Sequence, residues 1–121
     1  MVRIFKNKWF DRFADKEGIT DDELKDVVDL LEKDRPDADL GAGVYKMRVA
    51  RFGAGKSGGY RAIVFFSSGK RTFFVYGFAK SGMDDINERQ LRDFKKAAKI
   101  AFKYTEPELD DRVKTGFYLE I

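Results

Sequence analysis

Eight basic residues, Lys46, Arg48, Arg51, Lys56, Arg61, Lys70, Arg71 and Lys80, lie between Gly41 and Met83, with no Asp or Glu among them. An Arg guanidinium keeps its charge at any physiological pH and forks onto two phosphate oxygens, while a Lys ammonium adds a mobile point charge. Each phosphate neutralised in this way releases condensed counterions, so a stretch carrying +8 has the electrostatic footprint of a polyanion site. The rest of the chain holds the other 16 of the 24 basic residues and all 21 acidic ones, a balance of −5, so the net charge of +3 conceals a segregated distribution. Scattered lysines are usually a solvated face. Here glycines, aromatics and strand-like alternation run through the same segment, which favours a binding surface.

The chain has no cysteine and no histidine. That excludes disulfides, thiolate zinc sites, cysteine nucleophiles and the commonest general base, and leaves Lys, Arg, Tyr, Ser and carboxylates. RNA can be cut without a metal when a 2′-hydroxyl attacks its neighbouring phosphate, which requires one group to accept a proton, one to donate a proton and one to stabilise a dianion. Arg48 and Arg61 suit the last role. A lysine crowded by cations has a depressed pKa, so Lys46, Lys56 or Lys80 would exchange protons, and the residue types do not choose among them. Tyr60 is placed either to stack on a base or to pack in a sheet, since strand residues alternate between faces.

Two motifs match in letters only. Gly53-Ala54-Gly55-Lys56-Ser57-Gly58 satisfies G-x-G-x-x-G, but a strand rather than a helix follows and no acidic residue lies about twenty positions on. Gly55-Lys56-Ser57 resembles the end of a P-loop, but Ala50 stands where its first glycine belongs. What remains is a glycine-rich loop, 53–59, whose backbone N–H groups and Lys56 would approach phosphate closely. Asp84-Asp85 precedes a helix start and is explained by the helix dipole better than by a metal.

These residues need a scaffold, and 121 residues give one hydrophobic core. Val2 to Phe5 reads as a short edge strand, and Trp9, Phe10 and Phe13 sit at helical spacing between Asn7 and Asp15. Ile19, Thr20, Glu23 and Leu24 match a capping box with a hydrophobic staple, opening a second helix with an apolar stripe at Leu24, Val27, Val28 and Leu31 that ends before Pro36. From Val44 the period becomes two: Tyr45, Met47 and Val49 on one face, Lys46, Arg48 and Ala50 on the other, charged one. Tyr60 to Phe66 and Arg71 to Phe78 flank Ser67-Ser68-Gly69 as a hairpin, with Phe65, Phe73 and Phe74 in the core. Asn87 and Gln90 cap a long helix with Leu91, Phe94, Ala98, Ala101 and Phe102 inward. Thr105 caps a short acidic helix before Phe117 to Ile121, a possible edge strand. No signal-peptide-like or membrane-spanning run is present, which points to the cytoplasm.

The ordered set Gly43-Val44-Tyr45-Lys46-Met47-Arg48-Val49-Ala50, Gly53-x-Gly55-Lys56-Ser57-Gly58-Gly59-Tyr60-Arg61 and Phe74-Val75-Tyr76-Gly77-Phe78-Ala79-Lys80-Ser81 resembles the RelE/HigB toxins of bacterial type II toxin-antitoxin modules. The resemblance spans about residues 41 to 103. It implies an α+β, RelE-like fold: an antiparallel sheet of about four to five strands, two N-terminal helices and a long C-terminal helix, in one domain over 1–121 with 104–121 as a C-terminal extension. It also implies ribosome-dependent mRNA cleavage in the A site of the 30S subunit, and a cognate antitoxin, expected to carry a helix-turn-helix DNA-binding domain. A ParE-like gyrase poison and a non-catalytic RNA-binding module are the alternatives. Lys46 and Arg48 fall on the family's basic strand, Arg61 on the arginine after a Gly-Tyr pair, and Lys80 on the basic residue closing the last sheet strand. Where RelE has a functional tyrosine shortly after that strand, this chain has Ile86 and Asn87, so the general base is unassigned. The candidate catalytic residues are therefore Arg48, Lys56, Arg61 and Lys80, and the candidate RNA-binding residues Lys46, Arg51, Ser57, Tyr60 and Arg71. No metal, cofactor or membrane partner is expected.

Overall fold

The structure, a computed structural model, describes residues 2–51, 55–79 and 85–121, without the side chains of residues 50, 51 and 55–58. In chain order its elements are β1 (Arg3–Asn7), α1 (Lys8–Glu17), α2 (Asp21–Glu32), β2 (Ala38–Gly41), β3 (Val44–Arg51), β4 (Gly55–Ser67), β5 (Arg71–Ala79), α3 (Glu88–Lys103), α4 (Glu106–Lys114) and β6 (Tyr118–Glu120). Among the described residues no helix is long and apolar enough to cross a membrane.

The sheet has six strands in the order β2-β3-β4-β5-β1-β6, and it is mixed rather than antiparallel. β2 to β5 form an antiparallel meander. β1 lies inside the sheet, parallel to β5 and antiparallel to β6, and is not the edge strand its length and position imply. Its centre explains this, because Phe5 is fully buried and stacks on Phe73 at 5.1 Å. Lys6, also buried, is held by Asp11 at 2.9 Å and Asp21 at 3.2 Å. Burial opposes its charge, but the two carboxylates outweigh that, and the net shift of its pKa is upward.

Every helix start uses a side-chain cap. Asn7 accepts from Phe10 N–H, and Thr20, Asn87 and Thr105 form capping boxes with Glu23, Gln90 and Glu108, each satisfying N–H groups that a helix leaves orphaned. α1 and α2 cover one face of the sheet, over Met47, Val49, Tyr60, Ala62, Val64, Phe66 and Phe74. α3, α4 and β6 belong to the core of the other face, around Phe5, Val44, Ile63, Phe65, Phe73, Ala98, Ala101, Leu109 and Tyr118. The face of β3 carrying Lys46 and Arg48 is thus the α3 face, partly roofed rather than open. Gly43 makes room for that roof. Its φ is +80°, and a methyl group there would collide with the Phe102 ring of α3.

Tyr118 yields a pH prediction. It is 7% exposed against Phe5 and Phe73, and burial, reinforced by Tyr104 and opposed by Arg112, pushes its phenol up to about 12. An unfolded tyrosine releases its proton near about 10. The folded chain keeps its proton longer, so this contribution is complete below pH 10 and disappears as pH rises to about 12. Urea titrations at pH 9 and pH 12 should show the wild type losing about 2 kcal/mol more than Tyr118→Phe across that interval.

Candidate functional site

Strand register decides which basic side chains meet. Arg48 on β3 is the Cα partner of Arg61 on β4, which is the partner of Phe78 on β5. One step along, Lys46, Ile63 and Tyr76 form the adjacent row on the same face. Two arginines directly opposite each other repel, at a cost of about 0.2–1 kcal/mol, and folding alone gives no reason to keep them.

Carboxylates from outside the acid-free segment moderate that charge. Asp37, just before β2, accepts the Arg48 backbone N–H at 2.7 Å through Oδ2 and Arg48 Nε at 3.0 Å through Oδ1. It substitutes for a strand partner where β2 no longer pairs with β3, and it draws the guanidinium toward the sheet edge. Asp85 pairs with Lys46 Nζ at 3.1 Å while accepting the N–H of Ile86. Arg61 has no carboxylate within ion-pair distance among the described residues, and its Nη1 makes only a 3.4 Å bond to the carbonyl of Tyr60. Among the described residues Arg61 is the cation of this face that lacks a carboxylate partner.

The heads of these side chains do not all converge. Lys46 opens onto a hollow of about 180 Å³ shared with Leu40, Asp85, Asn87, Glu88 and Leu91. Arg48 borders a different groove of about 300 Å³ whose α2 wall is acidic, with Glu23, Asp26 and Asp29. The register unites Lys46, Arg48 and Arg61 on one face, and their acidic partners then spread two of the three apart.

Two candidates lie elsewhere. Tyr60 belongs to the opposite face: it is 5% exposed, edge-on to Phe13 at 5.6 Å, with its hydroxyl donating to Glu17 at 3.3 Å. Residues 60 and 61 alternate, so when Arg61 faces α3 its neighbour faces α1, and Tyr60 is a core residue rather than a base-stacking one. Arg71 stands at the far end of β5, seven residues or about 20 Å from Phe78. It donates to the carbonyls of Ala101 and Tyr104 and pairs with Glu106 at 2.7 Å. Its contacts make it a fastener between sheet and helices, away from the row of Arg48 and Arg61.

Lys80 and residues 53 and 54 of the glycine segment lie outside the described residues, as do the side chains of Arg51, Lys56 and Ser57. The backbone of 55–59 is described, and it is strand: β4 begins at Gly55, which pairs with Arg51. The backbone over 55–59 is therefore strand, where a loop is expected.

Asp37 and Asp85 were not among the candidate residues, nor were Trp9 and Tyr76. Trp9, 40% exposed at the start of α1, stacks on Tyr76 at 4.7 Å and on Phe13 at 5.4 Å. Gly77 permits this, because a methyl group there would strike the Phe13 ring. Hydropathy alone marks these rings as core, and only the register shows Tyr76 in the row of Lys46.

The sheet, flanked by helices on both faces, belongs to a chain that one protein-family model covers almost end to end. The model describing the RelE toxin of the RelE/RelB toxin-antitoxin system matches residues 2–121. No individual curated protein matches the chain. The chain belongs to the RelE toxin family, whose members form one half of a toxin-antitoxin module and have an antitoxin as partner.

Proposed function

We propose that this toxin is a metal-independent endoribonuclease that cleaves mRNA in the 30S A site of the ribosome, acts in the cytoplasm, and is held in check by a cognate antitoxin bearing a helix-turn-helix domain. One observation carries the reading: Arg61 sits at the centre of a basic sheet face, in register with Arg48, without a carboxylate partner among the described residues. A phosphate undergoing attack by a 2′-hydroxyl gathers negative charge on its non-bridging oxygens, and a preorganised guanidinium stabilises that charge more than the ground state. In this reading Arg61 grips the scissile phosphate, Arg48 supports it with its unengaged Nη groups, and Lys46 binds the adjoining backbone once Asp85 is displaced. Lys56 and Lys80 complete the proposed catalytic set, and Arg51 and Ser57 the proposed RNA contacts.

The test is cleavage of a defined mRNA on programmed ribosomes. The expected result is a codon-phased cut that appears only with ribosomes present, persists in excess EDTA once the ribosomes are fixed, and disappears when antitoxin is added. Intact transcripts together with gyrase-dependent DNA breaks in induced cells would replace this reading with a gyrase poison. RNA retention without any cut would leave a binding module.

A further inference from the structure

In the proposed reaction the group that gives a proton to the departing oxygen is unassigned. We infer that Tyr76 is that group. The inference rests on the endoribonuclease reading and extends it to a named residue.

Three observations place Tyr76 there. Its Cα is in register with Ile63, whose other partner is Lys46, so Tyr76 lies on the cationic face, diagonal to Arg61. Diagonal neighbours on adjacent strands are about 7–8 Å apart, within joint reach of a phenol and a guanidinium. The ring is fixed by Trp9 at 4.7 Å, Phe94 at 5.8 Å and Phe78 at 6.2 Å, so little freedom is left to lose when substrate binds. The hydroxyl, by contrast, has no hydrogen-bond partner among the described residues and is not sealed from solvent. The buried Tyr60, which serves packing, does engage its hydroxyl, with Glu17. A ring held on three sides, its hydroxyl unengaged and the neighbouring arginine without a counter-charge among the described residues, suits proton donation next to a phosphate.

A phenol carries an O–H that can donate. In the step, the 2′-oxygen forms a bond to phosphorus and its proton passes to water. The bond from phosphorus to the 5′-oxygen breaks, and that oxygen takes the phenolic proton. The products are a 2′,3′-cyclic phosphate and a 5′-hydroxyl. Arg61 stabilises the transient phenolate, which recovers a proton from water, so no proton is gained or lost overall.

Tyr76→Phe keeps the ring and removes only the hydroxyl. Trp9 is the sole tryptophan, so an unchanged fluorescence spectrum verifies that the aromatic stack survives. On programmed ribosomes kcat should fall by about 100-fold with KM unchanged. An mRNA whose scissile 5′-oxygen is replaced by sulfur has a leaving group that needs no proton, and on it the variant should cut within a few-fold of the wild type. Equal rates on the ordinary mRNA would overturn the inference, and so would a slow variant that the sulfur substrate fails to rescue. If the wild type cuts neither substrate, the endoribonuclease reading itself fails and this inference falls with it.

Discussion

Arg61→Ala should reduce mRNA cleavage on programmed ribosomes by about 10³-fold, the upper range for loss of one preorganised donor to a developing oxyanion. Most of the loss should fall on kcat, because the charge Arg61 meets grows toward the transition state. The thermal midpoint should hold or rise slightly. Among the described residues Arg61 makes only a 3.4 Å bond to Tyr60 O, and its removal relieves the repulsion with Arg48 across the β3-β4 pair. Arg61→Lys keeps the charge but not the fork, and should recover only part of the rate. RNA binding by the alanine variant should also lose about one unit of salt-dependence slope. Cleavage undiminished in Arg61→Ala would remove the basis of the proposed function.

The contrast between Arg61 and its neighbours is informative. Arg48 and Lys46 come from the same acid-free segment, yet each meets a carboxylate that the fold brings in from elsewhere: Asp37, 11 residues away, and Asp85, 39 residues away. A strip of bare cations would oppose its own folding, and these two acids reduce that cost. Asp37 engages only Nε and the backbone N–H of Arg48, and so leaves the terminal amino groups for the proposed phosphate contact.

Much of this arrangement is legible without coordinates, because local signals determine it. The caps at Thr20, Asn87 and Thr105 are read directly from residue types at fixed spacing, and the alternation from Val44 separates Met47 and Val49 from Lys46 and Arg48. What escapes the sequence is long-range. Nothing local shows that β1 inserts between β5 and β6, a pairing that joins Phe5 to Glu120 across the whole chain. β2 is four residues with a register irregularity and gives almost no periodic signal. Summing charge outside Gly41–Met83 also hides a division: the acids of α1 and α2 offset Arg89, Arg92, Lys95, Lys96, Lys99 and Lys103 of α3, which lie on the other side of the sheet. Tyr60 shows the same limit on a smaller scale, since alternation says that residues 60 and 61 part company but only packing says which one is buried.

Arg71 illustrates how far a cation counted toward an RNA site can be structural, and its replacement should have the largest effect on stability. α3 ends at Lys103, and the last carbonyls of a helix have no partner of their own. The Arg71 guanidinium supplies one to Ala101 at 3.3 Å and one to Tyr104 at 2.6 Å, and its other amino group pairs with Glu106 at the start of α4. One side chain on the sheet thereby fixes the junction of two helices. Arg71→Ala removes the donor of the Tyr104 carbonyl and leaves the Ala101 carbonyl with the 3.4 Å N–H of Tyr104 alone among the described residues, and at 12% side-chain exposure water replaces the guanidinium poorly. The expected loss is about 3 kcal/mol, visible as a fall of about 10 °C in thermal midpoint. Arg71→Lys should recover less than half of this, because an ammonium cannot span both carbonyls and Glu106 in the plane the guanidinium uses. Measured well below the transition, cleavage by folded Arg71→Ala should stay within about twofold of wild type, since removing an RNA-contacting cation would cost affinity at every temperature. A full-strength thermal midpoint with weakened RNA binding would return Arg71 to the RNA site and refute the role of fastener.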